Sequence, residues 1–291
     1  MPAVIPVRTE REAMDWSLVL VSEGIETVID RDADSNLWRL LVAGTDYPRA
    51  IKAIRLYRAE NRHRVWRREL PWTGLVFDWR CVLPLLLLVF FFAVQATGRG
   101  DVNGAGLMDN HAVHAGQWWR PVTAVMLHAD LPHLAANVTT GLLLLGLAMG
   151  TFGPGVGLLT SFLAGVAGNG IGLLIYADTH RGLGASGMIM GALGLLASQW
   201  LALLRHGLTA RELAVRGVLS GGLLLVLLGF SPAARVDVLA HVAGFGTGLA
   251  LGAGLAFCPT RLLHHPWLDR SALLICAGLA GTCWLFALRA G

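Results

Sequence analysis

The stretch GLGASGMIMGALGLLASQWLALL, residues 182–204, contains no charged side chain and is long enough to cross a lipid bilayer. Ser186 lies near its beginning, within Gly184-Ala185-Ser186-Gly187. Polar groups are costly inside a membrane, so a hydroxyl placed there indicates a function. Serine in a glycine-rich helix also often does no more than bond back to a carbonyl of the preceding turn. Ser186 is therefore a candidate nucleophile that needs partners elsewhere in the chain.

Further uncharged stretches define the fold class. They are residues 81–98, 131–177, 217–234, 238–260 and 271–288. The run 131–177 exceeds one span of about 20 residues and breaks at Gly153-Pro154-Gly155, so the pattern predicts seven crossings. The charged fraction is 14%, well below the roughly 25% of soluble domains, which disfavours a soluble protein with buried helices. We therefore expect residues 73–291 to form an all-α polytopic membrane domain.

Basic residues gather on one side of this predicted bundle. They precede span one, or lie between spans four and five or six and seven: Arg49, Lys52, Arg55, Arg58, Arg62, Arg64, Arg67, Arg68, Arg205, Arg211, Arg216, Arg261 and Arg270. The positive-inside rule places this side in the cytoplasm. Lys52 is the single lysine, which is typical of a GC-rich bacterial genome. The sequence thus predicts an integral multi-pass protein of a bacterial inner membrane, with a cytoplasmic amino terminus.

Residues 1–72 have a different character and predict a small cytosolic α+β domain. Helical periodicity covers residues 10–23, and two strands are expected at 26–31 and 37–42. A further helix is predicted over 46–62, with Asp46 suited to cap it. The sequence assigns no function to this domain.

Three other polar residues enter the predicted spans at the same shallow depth as Ser186. His133 and Asn137 lie at the start of span two and share a helix face, because they are four residues apart. His241 follows Asp237 at the start of span six. Spans two, four and six all enter from the external side. We therefore expect these groups to meet in one pocket that water reaches from outside.

Together these residues have the parts of a hydrolase site. His241 could take the proton of Ser186 and so activate the hydroxyl as a nucleophile. The Ser186 N–H, the Asn137 amide and a ring N–H of His133 could stabilise an oxyanion. Each residue alone has a plainer explanation, such as a helix–helix hydrogen bond for Asn137. Asp237 could orient His241 as a third member, but a charge at the end of a span needs no special cause.

Glycines after the serine and the histidine favour a close helix crossing. They are Gly187, Gly191 and Gly194 in span four, and Gly244, Gly248 and Gly252 in span six. Small residues at this spacing let helix backbones approach closely in lipid. Such a crossing would bring Ser186 and His241 within hydrogen-bond reach. Generic bundle packing needs the same residues, so the glycines favour the dyad without requiring it.

The order of these motifs resembles that of the rhomboid intramembrane serine proteases across residues 80–257. The motifs are Trp119-Arg120, His128-x4-His133-x3-Asn137, Gly184-Ala185-Ser186-Gly187 and Ala240-His241-x2-Gly244-x3-Gly248. The resemblance implies a six-helix rhomboid-like core plus one extra C-terminal transmembrane helix. It also implies that His128 is structural and that Trp119-Arg120 belongs to a loop lying partly in the membrane.

By this resemblance Ser186 is the nucleophile and His241 the base of a Ser-His dyad. His133 and Asn137 are then expected to line the oxyanion hole. Relatives often carry an aromatic residue four positions after the nucleophile, where this chain has Met190. Methionine can fill the same space and contact a ring.

The activity implied is an intramembrane serine endopeptidase that cleaves transmembrane segments of membrane proteins near their outer end, without a cofactor. Its partners would be transmembrane protein substrates and the lipid bilayer. We expect no metal site, since no cysteine pair has ligand spacing, and no nucleic-acid partner. One alternative is a non-catalytic rhomboid-like protein that binds membrane clients, although such proteins usually lack the serine or the histidine. A transporter or channel is the other, and it would favour paired charges at the midplane.

Overall fold

The structure is a computed structural model that describes residues 2–32, 37–61, 76–98, 101–176, 179–201, 208–229 and 237–290. The chain divides into two compact units, Met1–Trp72 and Thr73–Gly291. Several predicted features lie partly outside the described residues, among them the last three residues of the fourth predicted span, 202–204. The others are the turn between the two predicted strands, the end of the helix predicted over 46–62, the basic residues at 62–68 and 205, and the end of the fifth predicted span at 230–234.

The first unit is a three-stranded antiparallel sheet with two helices packed on it. Its strands are β1 (Pro2–Val7), β2 (Thr27–Arg31) and β3 (Trp38–Ala43), in the order β1-β3-β2, and its helices are α1 (Glu10–Ser22) and α2 (Tyr47–Glu60). Thr9 caps α1 by accepting from the Glu12 N–H, and Gly24 follows the helix with φ +71°. The core is made of apolar side chains that alternate along the strands or recur along the helices, together with Ile25 from the turn after α1: Ile5, Val7, Ala13, Trp16, Leu20, Ile25, Leu40, Val42, Ala50 and Ile54.

Strand β1 is the element of this unit that the sequence does not predict. It contains Pro2 and Pro6, which argue against a central strand because proline lacks the N–H that a sheet needs. The structure resolves the conflict by placing β1 at the edge of the sheet, where β3 is its single partner among the described strands. Edge strands tolerate proline since one side of their backbone is unpaired.

The second unit is helical. In chain order its helices are α3 (Val82–Ala96), α4 (Val102–Gly106), α5 (Asn110–His114), α6 (Arg120–Thr123), α7 (Leu131–Phe152), α8 (Pro154–Ile175), α9 (Ser186–Ser198), α10 (Leu208–Gly229), α11 (Val238–Leu255), α12 (Thr260–Leu263) and α13 (Pro266–Ala290). Short strands β4 (Met108–Asp109) and β5 (Arg181–Gly182) pair with each other. Gly153, with φ +92°, separates α7 from α8 at the predicted break.

Five helices in the described part of the chain are long and apolar enough to cross a membrane. They are Trp79–Ala96, Leu131–Phe152, Pro154–Ile175, Val238–Leu255 and Pro266–Ala290. The helix that begins at Ser186 is apolar but shorter, and α10 carries Arg211, Glu212 and Arg216 in its first half. The unit is therefore a polytopic helical membrane protein, while the count of seven crossings stays a prediction.

Helix α9 lies at the centre of this unit. It packs against α7, α8, α10 and α11, and every residue from Gly187 to Leu195 is buried. A helix that is apolar on all sides is expected to be enclosed in this way. Ser186 is therefore the first residue of a helix whose following nine residues are all buried.

Helices α9 and α11 cross with their backbones in direct contact. A Cβ added to Gly248 would lie 2.7 Å from the carbonyl carbon of Gly191 and 2.8 Å from its Cα. A Cβ added to Gly194 would lie 2.7 Å from the backbone nitrogen of Leu249. Members of both glycine rows noted in the sequence lie in this contact, and at Gly194 and Gly248 no larger side chain fits between the two backbones.

Helix α8 joins the same crossing from a third side. A Cβ on its Gly165 would lie 2.7 Å from the backbone nitrogen of Met188, and a Cβ on its Gly168 would lie 2.9 Å from the Ala240 carbonyl oxygen. The beginnings of α9 and α11 are thus wedged against the middle of α8. This packing fixes where the first turns of the two helices stand relative to each other.

Candidate active site

Ser186 is partly buried and begins α9. The first N–H groups of a helix have no acceptor within the helix, so the amides around Ser186 are available to a ligand. Gly184 precedes it with φ +132°, a conformation that side-chain-bearing residues rarely adopt. The Gly184 N–H donates to the Ala124 carbonyl at 2.9 Å, which anchors this turn to the preceding loop.

His133 faces Ser186 across Gly184. The point where a Cβ of Gly184 would stand lies 2.9 Å from His133 Nε2 and 3.8 Å from Ser186 Oγ. The ring nitrogen and the hydroxyl therefore border the same small space. A side chain at position 184 would fill this space, so glycine is required there by both its conformation and its neighbours.

His241 lies in the first turn of α11 and is 6% exposed. Its neighbour Ala240 contacts Gly187, the neighbour of Ser186: a Cβ on Gly187 would lie 3.5 Å from the Ala240 carbonyl oxygen. Residues from the starts of α7, α9 and α11 thus come together at one level.

Asn137 is buried one turn after His133 and donates from Nδ2 to the His133 carbonyl at 2.8 Å. The His133 N–H in turn donates to the capping Asp130 carboxylate at 2.7 Å. These bonds fix the backbone on both sides of the histidine ring. Because an amide nitrogen carries two hydrogens, Asn137 keeps a second donor beside this bond.

His128 packs against the site from the preceding loop. It is 1% exposed, and its ring meets that of His133 edge-on with centroids 5.2 Å apart. The Gln95 amide holds its backbone from both sides, accepting from the His128 N–H at 3.1 Å and donating to its carbonyl at 3.2 Å. Burial lowers the pKa of His128 to about 4, so the ring is neutral at physiological pH. The burial of His128 and the hydrogen bonds to its backbone support a structural role for this residue.

Trp119 and Arg120 organise the segment from residue 101 to 130. The buried guanidinium of Arg120 donates to the carbonyls of Gly104 and Leu107 and to the Gln117 side chain, each at 2.6 Å. The Trp119 indole N–H donates to another carbonyl of the segment at 3.2 Å. The hydrogen bonds of Arg120 therefore hold together the segment that precedes His128.

Asp237 has contacts that the sequence does not predict. Its Oδ1 accepts from the Tyr176 hydroxyl and from the Ala240 N–H, each at 3.0 Å, and its Oδ2 lies 3.1 Å from His180 Nε2. The sequence does not indicate Tyr176 and His180 as partners, because the loop between α8 and α9 is distant from Asp237 along the chain. A tyrosine and a histidine near the end of a predicted span do not by themselves indicate which residue they contact.

Met190 lies in the helix that begins at Ser186. Met190 is 3% exposed and belongs to the buried core of α9, at the position where the resemblance leads one to expect an aromatic ring. Among the described residues, no group of three or more His, Cys, Asp or Glu side chains is arranged to hold a metal ion.

A serine at the start of a buried helix and two histidines from neighbouring helices define a polytopic membrane protein with a candidate hydrolase site. Residues 115–257 match the Rhomboid domain, so this segment of the chain is similar to the rhomboid family.

Relatives carry the same family name. Rhomboid protease GluP of Bacillus subtilis (strain 168) is 31% identical over 179 residues, which are 58% of this chain and 33% of that protein. RHOMBOID-like protein 4 of Arabidopsis thaliana is 30% identical over 171 residues, 57% of this chain and 40% of that protein. RHOMBOID-like protein 5 of the same plant is 31% identical over 160 residues, 53% of this chain and 49% of that protein. The chain therefore spans less than half the length of these relatives.

Proposed function

We propose that the chain is an intramembrane serine endopeptidase that cleaves transmembrane segments near their outer end. Ser186 is the nucleophile and His241 the general base. The observation that supports this proposal is the close packing of α11 on α9 beside these two residues: a Cβ on Gly244 would lie 3.0 Å from the Gly187 carbonyl carbon, and a Cβ on Gly187 would lie 3.5 Å from the Ala240 carbonyl oxygen. The match to the Rhomboid domain and a relative named a rhomboid protease agree with it.

The proposed reaction is acyl transfer to Ser186 followed by hydrolysis. His241 takes the hydroxyl proton as Ser186 Oγ attacks the carbonyl carbon of the scissile peptide bond. The protonated His241 then gives this proton to the leaving amine, and a water activated by the same ring hydrolyses the ester.

The oxyanion of each tetrahedral intermediate needs donors on the side away from His241. The Ser186 N–H at the start of α9 is one, since it has no acceptor within the helix. His133 borders the space beside Ser186 Oγ, and the second Nδ2 hydrogen of Asn137 lies one turn further along α7. These three groups are proposed to form the oxyanion hole.

The proposed orientation has the amino terminus in the cytoplasm of a bacterial cell and the site near the outer surface. The basic residues listed above support the cytoplasmic side under the positive-inside rule. The site residues lie at the starts of α7, α9 and α11, which are expected to enter the membrane from the outer side. Water then needs to travel only a short way to reach Ser186.

Cleavage is expected to depend on the stability of the substrate helix. Carbonyls of a transmembrane helix are already hydrogen bonded, so a substrate must unwind locally before Ser186 can attack. We expect Gly or Pro near the cut to raise the cleavage rate about tenfold over Leu, with a small side chain just before the cut. A scan of reporter segments that differ only at these positions measures this effect. Rates that do not follow helix stability would contradict it.

Fluorophosphonate labelling tests the proposed function directly. An activated serine reacts covalently with a fluorophosphonate probe, whereas an ordinary buried serine does not. We expect the probe to label the full chain in detergent, with the adduct mapped by mass spectrometry to Ser186. A short-chain probe controls for slow entry into the site. A folded protein that neither probe labels would overturn the enzyme proposal and favour a non-catalytic client-binding protein.

A further inference from the structure

Tyr176, His180 and Asp237 form a side-chain cluster, here named the outer latch, which the proposed reaction does not use. The Tyr176 hydroxyl donates to Asp237 Oδ1 at 3.0 Å, and His180 Nε2 lies 3.1 Å from Asp237 Oδ2. The Tyr176 and His180 rings stack with centroids 4.0 Å apart. The His180 and Asp237 side chains are only 24% and 27% exposed, so this pair is better shielded from water than an ordinary surface pair.

Asp237 also holds the turn that carries His241. Its Oδ1 accepts from the Ala240 N–H at 3.0 Å as the cap of α11, and its carbonyl accepts from the His241 N–H at 3.1 Å. A displacement of Asp237 therefore moves the backbone of His241 with it. The carboxylate thus bonds at the same time to α11 and to the loop between α8 and α9.

The other side of the latch is anchored as well. Asn110, which is fully buried, donates from its backbone to the His180 carbonyl at 3.2 Å and from Nδ2 to the Tyr176 carbonyl at 3.4 Å. The pairing of β4 with β5 continues this attachment one residue further. The latch therefore connects the first turn of α11 to the segment that contains β4 and Asn110.

We propose that Asp237 is a positioning residue, which Tyr176 and His180 hold so that the His241 ring is set against Ser186. This inference rests on the proposed function, because it assigns the latch to the base of the same reaction. Asp237 acts through the backbone of α11 and does not need to touch the substrate. A neighbouring ion pair joins Arg181 Nε of the same loop to Asp109 Oδ2 at 2.8 Å. Its two residues belong to β5 and β4 and not to α11.

Kinetics of latch variants test this proposal. We expect Asp237→Ala to lower kcat about 100-fold, since misplacing a catalytic group by about 1 Å can cost that much, and Tyr176→Phe to lower it about tenfold. KM should change less than about twofold, because substrate binding is not involved. The double variant should be no slower than Asp237→Ala, since Tyr176 acts only through Asp237.

Matched controls separate positioning from general damage. Asp237→Asn keeps an oxygen that can cap α11 and accept from Tyr176, so it should recover kcat to within a few-fold of the wild type. Arg181→Gln removes the adjacent ion pair and should leave kcat unchanged. The proposal would be overturned if the two substitutions reduced kcat multiplicatively in the double variant, or if they changed KM instead of kcat.

The ring signals of His241 give a readout that does not require activity. In protein labelled with ¹⁵N-histidine, the His241 signals are assigned by their loss in His241→Ala. We expect Tyr176→Phe and Asp237→Ala to shift or broaden these signals, and Arg181→Gln to leave them in place. Unchanged His241 signals in both latch variants would overturn the positioning role even in an active enzyme. Shifted signals in a chain that fluorophosphonate does not label would instead contradict the proposed function alone.

Discussion

The Ser186→Ala and His241→Ala variants are each expected to lower cleavage of a reporter transmembrane segment by at least about 1000-fold, as catalytic residues that act as a unit do. Without the hydroxyl no acyl-enzyme forms, and without the imidazole the hydroxyl stays a weak nucleophile. The double variant is expected to be no slower than either single one. The measurement is cleavage of the reporter in detergent and in liposomes, with thermal unfolding to show that each variant is folded.

Ser198 supplies a matched control for this result. It lies on the same helix as Ser186 and is fully buried, and its hydroxyl donates to the Leu195 carbonyl at 2.6 Å. This is the plain packing arrangement that the sequence left open for Ser186. Ser198→Ala should therefore cleave at nearly the wild-type rate. Cleavage retained in Ser186→Ala or in His241→Ala would remove the dyad and, with it, the proposed endopeptidase.

The helical part of the site could be anticipated from the sequence because its residues obey helix periodicity. The four-residue spacing of His133 and Asn137 is enough to put them on one face, and the glycine rows are enough to suggest a close crossing. The structure adds the partner of each glycine, such as Gly191 for Gly248. That pairing depends on the axial register of two helices, and the sequence of either helix alone does not contain it.

The loops were less predictable, since their side chains bond to backbone rather than to one another. Arg120 donates to carbonyls of Gly104 and Leu107, and any residue could supply those oxygens. The same holds for the bonds of Asn110 to carbonyls of the α8–α9 loop. A sequence marks the donor in such cases but not its acceptors.

Tyr176 and His180 illustrate a second limit. Their partner, Asp237, follows them by about 60 positions, and the contact arises only because α8 and α11 pack side by side. The sequence offers Asp237 as an orienting residue for His241, but it does not indicate which side chains would hold Asp237 in place. The fold supplies these partners. Through them Asp237, which is not part of the dyad, could influence the position of His241.

Glycine at position 248 is expected to be essential to the crossing, whereas glycine at position 246 is not. The Gly248→Ala variant places a methyl group less than 3 Å from the Gly191 backbone, which cannot rotate away. The helices must then separate, at a cost of about 1–3 kcal/mol for overpacking. Gly246→Ala, on the same helix, meets nothing within 4 Å and should leave stability equal or slightly higher, since alanine favours a helix.

Separation of α9 from α11 would also change the geometry of the site, because Gly248 lies only about two turns beyond His241. We therefore expect Gly248→Ala to lower both the unfolding temperature in detergent and the rate of Ser186 labelling by fluorophosphonate, while Gly246→Ala changes neither. Labelling that falls in Gly248→Ala at temperatures where the variant is still folded would show that the crossing sets the distance between serine and histidine. Equal behaviour of the two alanine variants would mean that the close contact of the helices does not hold the site together.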